Sequence, residues 1–94
     1  MGILDFFMGI QDPVAAQYLV TKATKAPTTS TFALCDMVGE LTVPGSAPRV
    51  VEHTAPLTPL AKWPRVGDVL PALADKDNPE FMKIEWKQIP AREL

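Results

Sequence analysis

The side chains best suited to catalysis in this sequence are one cysteine, Cys35, and one histidine, His53. A nucleophilic cysteine needs an accessible, electropositive setting that stabilises its thiolate. Cys35 instead lies in a row of alternating apolar residues, which favours a buried, unreactive thiol. Ser30 and Ser46 are the serines that could pair with His53, and no Gly-x-Ser-x-Gly nucleophile elbow occurs. We therefore predict that the protein is not an enzyme and has no catalytic residues.

The potential metal ligands do not form a recognisable motif. A structural zinc site takes four cysteine or histidine ligands at short spacings, and this chain has one of each. Asp75, Asp77 and Asn78 resemble the start of a calcium loop. The sixth and twelfth positions counted from Asp75 should then be Gly and Glu, but they are Glu80 and Trp86. No glycine-rich phosphate loop precedes a helix. We predict no metal site and no cofactor.

The composition predicts one small globular domain. The chain has 94 residues, of which 47% are hydrophobic and 21% charged, and its net charge is -2. Such a charge gives no broad attraction to nucleic acid or anionic lipid. No apolar stretch is long enough to cross a bilayer, and the apolar N-terminus lacks a basic leader. A single cysteine excludes an intramolecular disulfide, which suits a reducing compartment, so we expect a cytoplasmic protein.

Residues 2–11 carry the strongest helical pattern in the sequence and its most apolar face. The large apolar side chains recur at helical spacing, and Pro13 is expected to end the helix. The candidate partner-binding residues on this helix are Ile3, Leu4, Phe6, Phe7 and Ile10. A helix this short is marginal alone and has to dock. The docking surface could be the end of its own barrel, a protein partner or second copy, or a membrane interface, although no Lys or Arg lies beside it.

The clearest strand is predicted over residues 31–43, where apolar and polar residues alternate. The side chains expected on its inner face are Cys35, Met37, Gly39, Leu41 and Val43. Phe32 and Leu34 have the opposite parity, so we place a β-bulge near Leu34 and Cys35 that would bring them to the same face. Gly39 in the strand interior is expected to mark strong bending.

Further short strands and turns are predicted along the rest of the chain. The strands are expected over residues 14–24, 49–55, 69–74 and 80–88, with turns at 44–48, 65–68 and 75–79. Pro71 marks its strand as an edge or bulged strand. The last strand should send three side chains inward, namely Met82, Ile84 and Trp86. We expect residues 56–64 to cross the end of the sheet, with three possible plugs: Leu57, Leu60 and Trp63.

This pattern predicts a mainly β protein built as a small, partly open barrel of the OB or SH3 kind. Five or six short strands would form the barrel, because closure hides the edges that a small open sheet exposes. The short N-terminal apolar helix would accompany it. We divide the chain into that helix (1–11), a β-barrel domain (12–89) and a tail (90–94).

A series of turn and core residues between positions 62 and 86 carries a family resemblance. It consists of Lys62-Trp63-Pro64-Arg65-Val66-Gly67, Leu70-Pro71, Asp75, Asn78-Pro79 and Ile84-Glu85-Trp86. The series resembles a β module of small actinobacterial proteins of uncharacterised function, and related modules occur attached to membrane helices. The opening Met1-Gly2-Ile3-Leu4-Asp5 is similar to that of short members. The resemblance implies a bacterial β domain without a known activity. Leu73 stands where such members often carry a basic residue, which indicates that another surface covers it.

These observations favour a non-enzymatic interaction or scaffold domain that contacts protein, or a second copy of itself, through the N-terminal apolar helix. One alternative is a weak single-strand nucleic-acid-binding domain of the OB kind. Its candidate basic and aromatic patch consists of Lys62, Trp63 and Arg65. The negative net charge disfavours nucleic acid as a partner. The other alternative is a protein that associates peripherally with membranes.

Overall fold

Five antiparallel strands make up most of the chain that the structure describes. The computed structural model describes residues 12–91. The strands are β1 (Pro13–Ala23), β2 (Phe32–Thr42), β3 (Arg49–Pro59), β4 (Val69–Asp75) and β5 (Met82–Ile84). They form a sheet in the order β3-β2-β1-β4-β5, which curls until β3 approaches β5. The prediction of a mainly β, barrel-like fold is confirmed, with a nearly closed sheet.

Helical structure between residues 12 and 91 is limited to two single-turn 3-10 helices. They span Leu60–Lys62 and Trp86–Gln88. The helix predicted over residues 2–11 lies outside the described residues, as do the last three residues of the predicted tail. In the described part of the chain, no helix has the length and apolar character needed to cross a membrane.

One face of the curled sheet supplies the core. The inner face predicted for β2 is confirmed, because its five residues are buried. Tyr18 of β1 lies between Leu41 of β2 and Leu70 of β4, so the three strands contribute to one layer. The neighbouring strands complete the interior with Ala16, Val20, Val51, Ala55, Ala72, Ala74, Met82 and Ile84. Burial of this apolar surface is the main source of the domain's stability.

A β-bulge joins β2 and β3 at the predicted position, but the extra residue belongs to β3. The register places Leu34 alone opposite residues 56–57. The bulge therefore changes which residues of β3 point inward. The buried residue that follows Ala55 is Thr58, three positions farther on and not two. The facing of β2 does not change. The expectation that Phe32 and Leu34 would join the inner face is wrong, and both side chains are exposed.

β3 continues through residues 56–59, which the sequence analysis assigned to a connection. Pro59 is paired with Phe32 of β2. β3 is the first strand in the sheet order, so one side of its backbone has no ladder partner and a proline there costs no ladder hydrogen bond. Of the three predicted plugs, Trp63 is buried and Leu60 packs against the core. Leu57 is exposed on the outer face, because it lies in the bulge.

β4 is an internal strand and not the edge strand that Pro71 suggested. It is paired with β1 on one side and with β5 on the other. The Pro71 carbonyl accepts a hydrogen bond from the Glu85 backbone N–H at 2.9 Å. The nitrogen and carbonyl of a strand residue point to the same side, so the missing N–H of Pro71 also faces β5. That position coincides with the end of the β4–β5 ladder, where no further bond is needed.

The last strand is shorter than predicted, and it ends before Trp86. Met82 and Ile84 are buried as the alternation predicts. Trp86 begins the second 3-10 helix and is only partly buried against the core. The ladder cannot continue past Pro71, because its next bond would need the N–H that proline lacks. The buried tryptophan of this domain is therefore Trp63.

Two glycines occupy the turn positions that demand them. Gly45 has a φ of 82° and Gly67 a φ of 95°, in the left-handed region that favours glycine. Around Gly67, the Asp68 N–H donates to the Arg65 carbonyl at 3.0 Å. The Asp68 carboxylate accepts from the Arg65 N–H at 2.8 Å. This is the pattern of a type II turn reinforced by an aspartate, and the turn predicted here is confirmed.

Candidate functional site

The cysteine and histidine considered for catalysis differ in burial, since Cys35 lies in the core and His53 is half-buried. Cys35 is fully buried, and burial raises the pKa of its thiol. The one hydrogen bond its sulfur donates is a long contact of 3.9 Å to the Asp36 carbonyl. Burial also lowers the pKa of His53. Both shifts favour the neutral forms, and the neutral thiol is the less nucleophilic form of cysteine.

Tyr18 is the central polar group of the interior. Its hydroxyl donates a 2.6 Å hydrogen bond to the Val51 carbonyl. The His53 ring meets the tyrosine ring edge-on, with centroids 6.5 Å apart and planes at 70°. Burial, followed by the charges of Cys35 and Glu52, raises the pKa of Tyr18 to about 12. The hydroxyl therefore remains a neutral donor that ties β1 to β3.

The alkaline stability of the domain should report on Tyr18. Its pKa is 10.0 in an ordinary environment and about 12 in the folded protein, so the folded state holds this proton more tightly. The resulting stabilisation is complete below pH 10 and is lost as the pH rises through 12. Tyr18 is the single tyrosine, so tyrosinate absorbance gives its titration directly, and urea unfolding gives the stability. A titration midpoint near 10, or an unchanged alkaline slope in Tyr18→Phe, would contradict this assignment.

Asp75, the residue from which a calcium loop was considered, is buried and holds backbone groups. Its Oδ1 accepts from the Asp12 N–H and its Oδ2 from the Asn78 N–H, each at 2.9 Å. The Asn78 side-chain amide lies 3.5 Å from Oδ2. The carboxylate thereby organises the turn between β4 and β5 and anchors the residue before β1.

The three residues of the candidate basic and aromatic patch have different surroundings in the structure. Trp63 is only 7% exposed, and its indole N–H donates to the Thr24 carbonyl at 2.7 Å. The Lys62 ammonium donates to the Trp86 carbonyl at 2.8 Å and so links the two 3-10 helices. Trp63 and Arg65 do line one shallow pocket of about 330 Å³, together with Lys25, which the sequence analysis did not single out. No open aromatic face is presented there for stacking on a base.

A cluster of exposed apolar side chains lies on the outside of the barrel, at the bulged end of β2 and β3. We call it the outer β2–β3 surface, and it consists of Phe32, Leu34 and Leu57. Their exposed fractions are 54%, 52% and 72%. The register brings Leu34 opposite residues 56–57 and Phe32 opposite Pro59. Three large apolar side chains grouped in this way are typical of a contact surface.

The outer β2–β3 surface borders on acidic side chains. Asp36 and Glu40 of β2 and Glu52 of β3 are all exposed and alternate with the inner-face residues. The Thr54 hydroxyl donates to the Asp36 carboxylate at 2.6 Å, which orients that carboxylate on the outer face. Along these two strands the outer face therefore changes from apolar at the bulged end to acidic at the middle.

Sequence reasoning missed the outer β2–β3 surface, although a signal for it was present. Successive side chains of a strand point to opposite faces, so an inward Cys35 places Leu34 and Phe32 on the outer face. The assumption that large apolar residues must face inward led to the opposite choice. The predicted contact residues Ile3, Leu4, Phe6, Phe7 and Ile10 lie outside the described residues.

Other kinds of site are not apparent from residues 12–91. Within that range, no three His, Cys, Asp or Glu side chains come together in a way that could hold a metal ion. Comparison of the chain with protein-family models, with curated proteins and with solved structures found no significant match. A functional assignment therefore rests on the chemistry of the surfaces themselves.

Proposed function

We propose that the protein is a non-enzymatic domain that binds another protein through its outer β2–β3 surface. The observation that carries this proposal is the grouping of Phe32, Leu34 and Leu57 as exposed neighbours on paired strands. Contact surfaces of proteins are enriched in such apolar anchors surrounded by polar groups. The scaffold beneath is a hydrogen-bonded sheet, so the three side chains are presented with little conformational freedom to lose.

The strand arrangement supports an OB-like barrel as the fold. The order β3-β2-β1-β4-β5, with β3 approaching β5, fits a five-stranded, partly open barrel. OB folds use the face of the second and third strands and the loop between the first two strands to bind ligands. In this chain the loop of residues 28–31 and Phe32 line a groove of about 420 Å³ beside the outer β2–β3 surface. The proposed contact surface thus corresponds in position to the region that OB folds use for ligands.

The carboxylates on this face of the sheet favour a protein partner over a nucleic acid. Asp36 lies next to the apolar end of this face, and Glu52 and Glu40 follow farther along the two strands. These carboxylates would repel a phosphate backbone. Trp63, the aromatic residue of the candidate basic and aromatic patch, is buried. The surface is complementary to a segment whose apolar side chains are followed by Lys or Arg. We propose a partner of that chemistry, bound in the cytoplasm of a bacterial cell.

Defined peptides would test this proposal. We expect a peptide pool that combines leucine and phenylalanine with lysine to shift the amide resonances of β2 and β3 in the isotopically labelled protein. The matching pool with glutamate in place of lysine should bind more weakly. Leu34→Glu should weaken binding of the lysine pool by about tenfold or more, because it removes a central apolar anchor. Val66→Glu is the matched control, since Val66 is 70% exposed and belongs to the turn before β4 and not to β2 or β3.

Three outcomes would contradict the proposal. The first is binding that does not distinguish the lysine pool from the glutamate pool, and the second is an equal effect of the Leu34 and Val66 variants. The third is a response of the same resonances to a single-stranded oligonucleotide or to lipid vesicles in place of the peptides. An oligonucleotide response would support the nucleic-acid alternative, and a vesicle response would support peripheral membrane association.

A further inference from the structure

β3 is an edge strand of the sheet, and alternate residues of its first half turn their backbone groups away from β2. The Thr24 N–H donates to the Asp36 carbonyl at 3.0 Å, so the N–H and carbonyl of Asp36 point towards β1. Because this direction alternates along a strand, Gly39 points towards β3, and its partner Val51 points back towards β2. The residues of β3 with the opposite direction are Val50, Glu52 and Thr54. We call these three residues the β3 edge.

The β3 edge has no backbone hydrogen-bond partner within residues 12–91. β3 approaches β5, but β5 has three residues against eleven in β3, and the two strands are not paired in that range. All three side chains of the β3 edge are exposed. The next positions with the same backbone direction are Pro48 and Pro56, which lack an N–H. The β3 edge is therefore a short row of N–H and carbonyl groups that is bounded by a proline on each side.

The charge of Glu52 disfavours a second copy of this chain at the β3 edge. Antiparallel pairing of two such edges through all three residues would place Glu52 opposite Glu52 of the second copy. Like charges directly opposite each other destabilise a strand pair, and a charge on an edge strand is a common protection against self-association. A register shifted by two residues would bring Pro48 or Pro56 into the pairing and lose hydrogen bonds. The β3 edge therefore suits a segment of a different protein.

We infer that an extended segment of the partner adds to the β3 edge as an antiparallel strand, with a Lys or Arg opposite Glu52. This inference rests on the proposed function, because the partner is the same protein. An antiparallel segment runs from Leu57 towards Val50, so apolar side chains that precede the basic residue would lie beside Leu57 of the outer β2–β3 surface. In strand addition, backbone hydrogen bonds supply affinity and alternate side chains supply specificity.

Hydrogen exchange in the full-length protein tests this inference with the capped peptide Leu-Thr-Phe-Thr-Lys-Thr-Leu. In the free protein, the amide protons of the β3 edge should exchange about tenfold or more faster than those of Val51 and His53, which point towards β2. Saturation with the peptide should slow exchange at the β3 edge by about tenfold or more. Unchanged exchange at the β3 edge in the complex would overturn the inference.

Methylation of the peptide backbone distinguishes strand addition from contacts made by side chains alone. In the inferred register, the backbone N–H groups of the peptide phenylalanine and lysine face β3, whereas those of its threonines face away. Methylation of the first two nitrogens should weaken binding by about tenfold or more, because it removes hydrogen bonds to β3. The matched peptide, methylated on two of its threonines, should bind nearly as well as the parent. Equal losses for the two methylated peptides would overturn the inference.

A charge reversal on the β3 edge tests the position of the basic residue. Glu52→Lys should weaken binding of the lysine peptide by about threefold or more and strengthen binding of its glutamate counterpart. Glu80→Lys is the matched control, because it changes the net charge equally and Glu80 is exposed on the turn before β5. Equal effects of the two variants would overturn the assignment of the basic residue to Glu52.

The same measurements separate failure of strand addition from failure of the proposed function. Peptide binding that is lost in Leu34→Glu but gives no protection at the β3 edge would retain the outer β2–β3 surface and overturn strand addition alone. The absence of any response to the peptide would overturn both. Protection of the β3 edge in the protein alone, increasing with protein concentration, would mean that a second copy occupies the edge and would overturn the inference.

Discussion

Replacement of Trp63 by alanine is expected to lower the free energy of unfolding by roughly 3–5 kcal/mol. The indole is 7% exposed and packs in the core cluster. Its N–H also donates to the Thr24 carbonyl at 2.7 Å, which joins the connection after β3 to the end of β1. The variant therefore loses a large apolar contact and a hydrogen bond at once. For a small domain this is a large part of the total stability.

Trp86→Ala is the matched control for this prediction. Trp86 is partly buried at the start of a 3-10 helix, so its removal exposes less apolar surface and should cost clearly less. Each variant retains one tryptophan, so urea unfolding can be followed by both fluorescence and circular dichroism. Trp63→Phe should recover much of the packing but not the hydrogen bond, which contributes about 1 kcal/mol. A larger loss in Trp86→Ala than in Trp63→Ala would contradict the packing described above.

Gly39→Ala is expected to destabilise the protein by about 3 kcal/mol or more, at the upper end of the cost of overpacking. A Cβ at this position would lie 2.5 Å from the Leu19 carbonyl oxygen and 2.7 Å from Cζ of Tyr18. The first neighbour is backbone, and the second belongs to a ring held by its hydrogen bond to Val51. Neither can move without disturbing the pairing of β1 with β2. Gly39 is thus needed because β1 and the Tyr18 ring pack closely against it. The sequence analysis had expected it to mark a bend in the strand.

The matched control for Gly39→Ala is Gly45→Ala. A Cβ at Gly45 would have no neighbour within 4 Å, but its φ is 82°, so only backbone strain of roughly 1–2 kcal/mol is expected. Thermal and urea unfolding of both variants would measure the difference. Equal losses, or a smaller loss for Gly39→Ala, would show that the Tyr18 ring does not lie over Gly39.

The outer face of the sheet differs in chemistry between its β2–β3 side and its β1–β4 side. The β2–β3 side combines a compact apolar cluster with carboxylates, which suits a partner that carries both apolar and basic side chains. The β1–β4 side is a groove that begins where the N-terminal segment enters the sheet.

Local signals in the sequence were sufficient for much of the fold. Alternation identified the inner face of β2 and the inward positions of Met82 and Ile84, since strand residues face alternate sides whatever their partners are. Glycine in the left-handed region is a local requirement, so the turn at Gly67 followed from its residue types. The absence of catalytic and metal motifs made a binding role the first hypothesis, and the contact surface itself was not predicted.

Pairing partners decided what the sequence left open. A bulge changes the facing of one strand only, so the position of the extra residue in β3 kept Phe32 and Leu34 outside. Pro71 could lie in an internal strand because its missing N–H coincides with the end of β5. Because the β4–β5 ladder ends there, Trp86 follows the strand and is only partly buried. Trp63 is the buried tryptophan.

The sequence alone determined where the five strands and the turns between them lie, since these depend on neighbouring residues, but not how far β3 and β5 extend. Only the tertiary structure determined which strands meet, and thereby which apolar side chains remain at the surface, because cross-strand register depends on residues far apart in the chain.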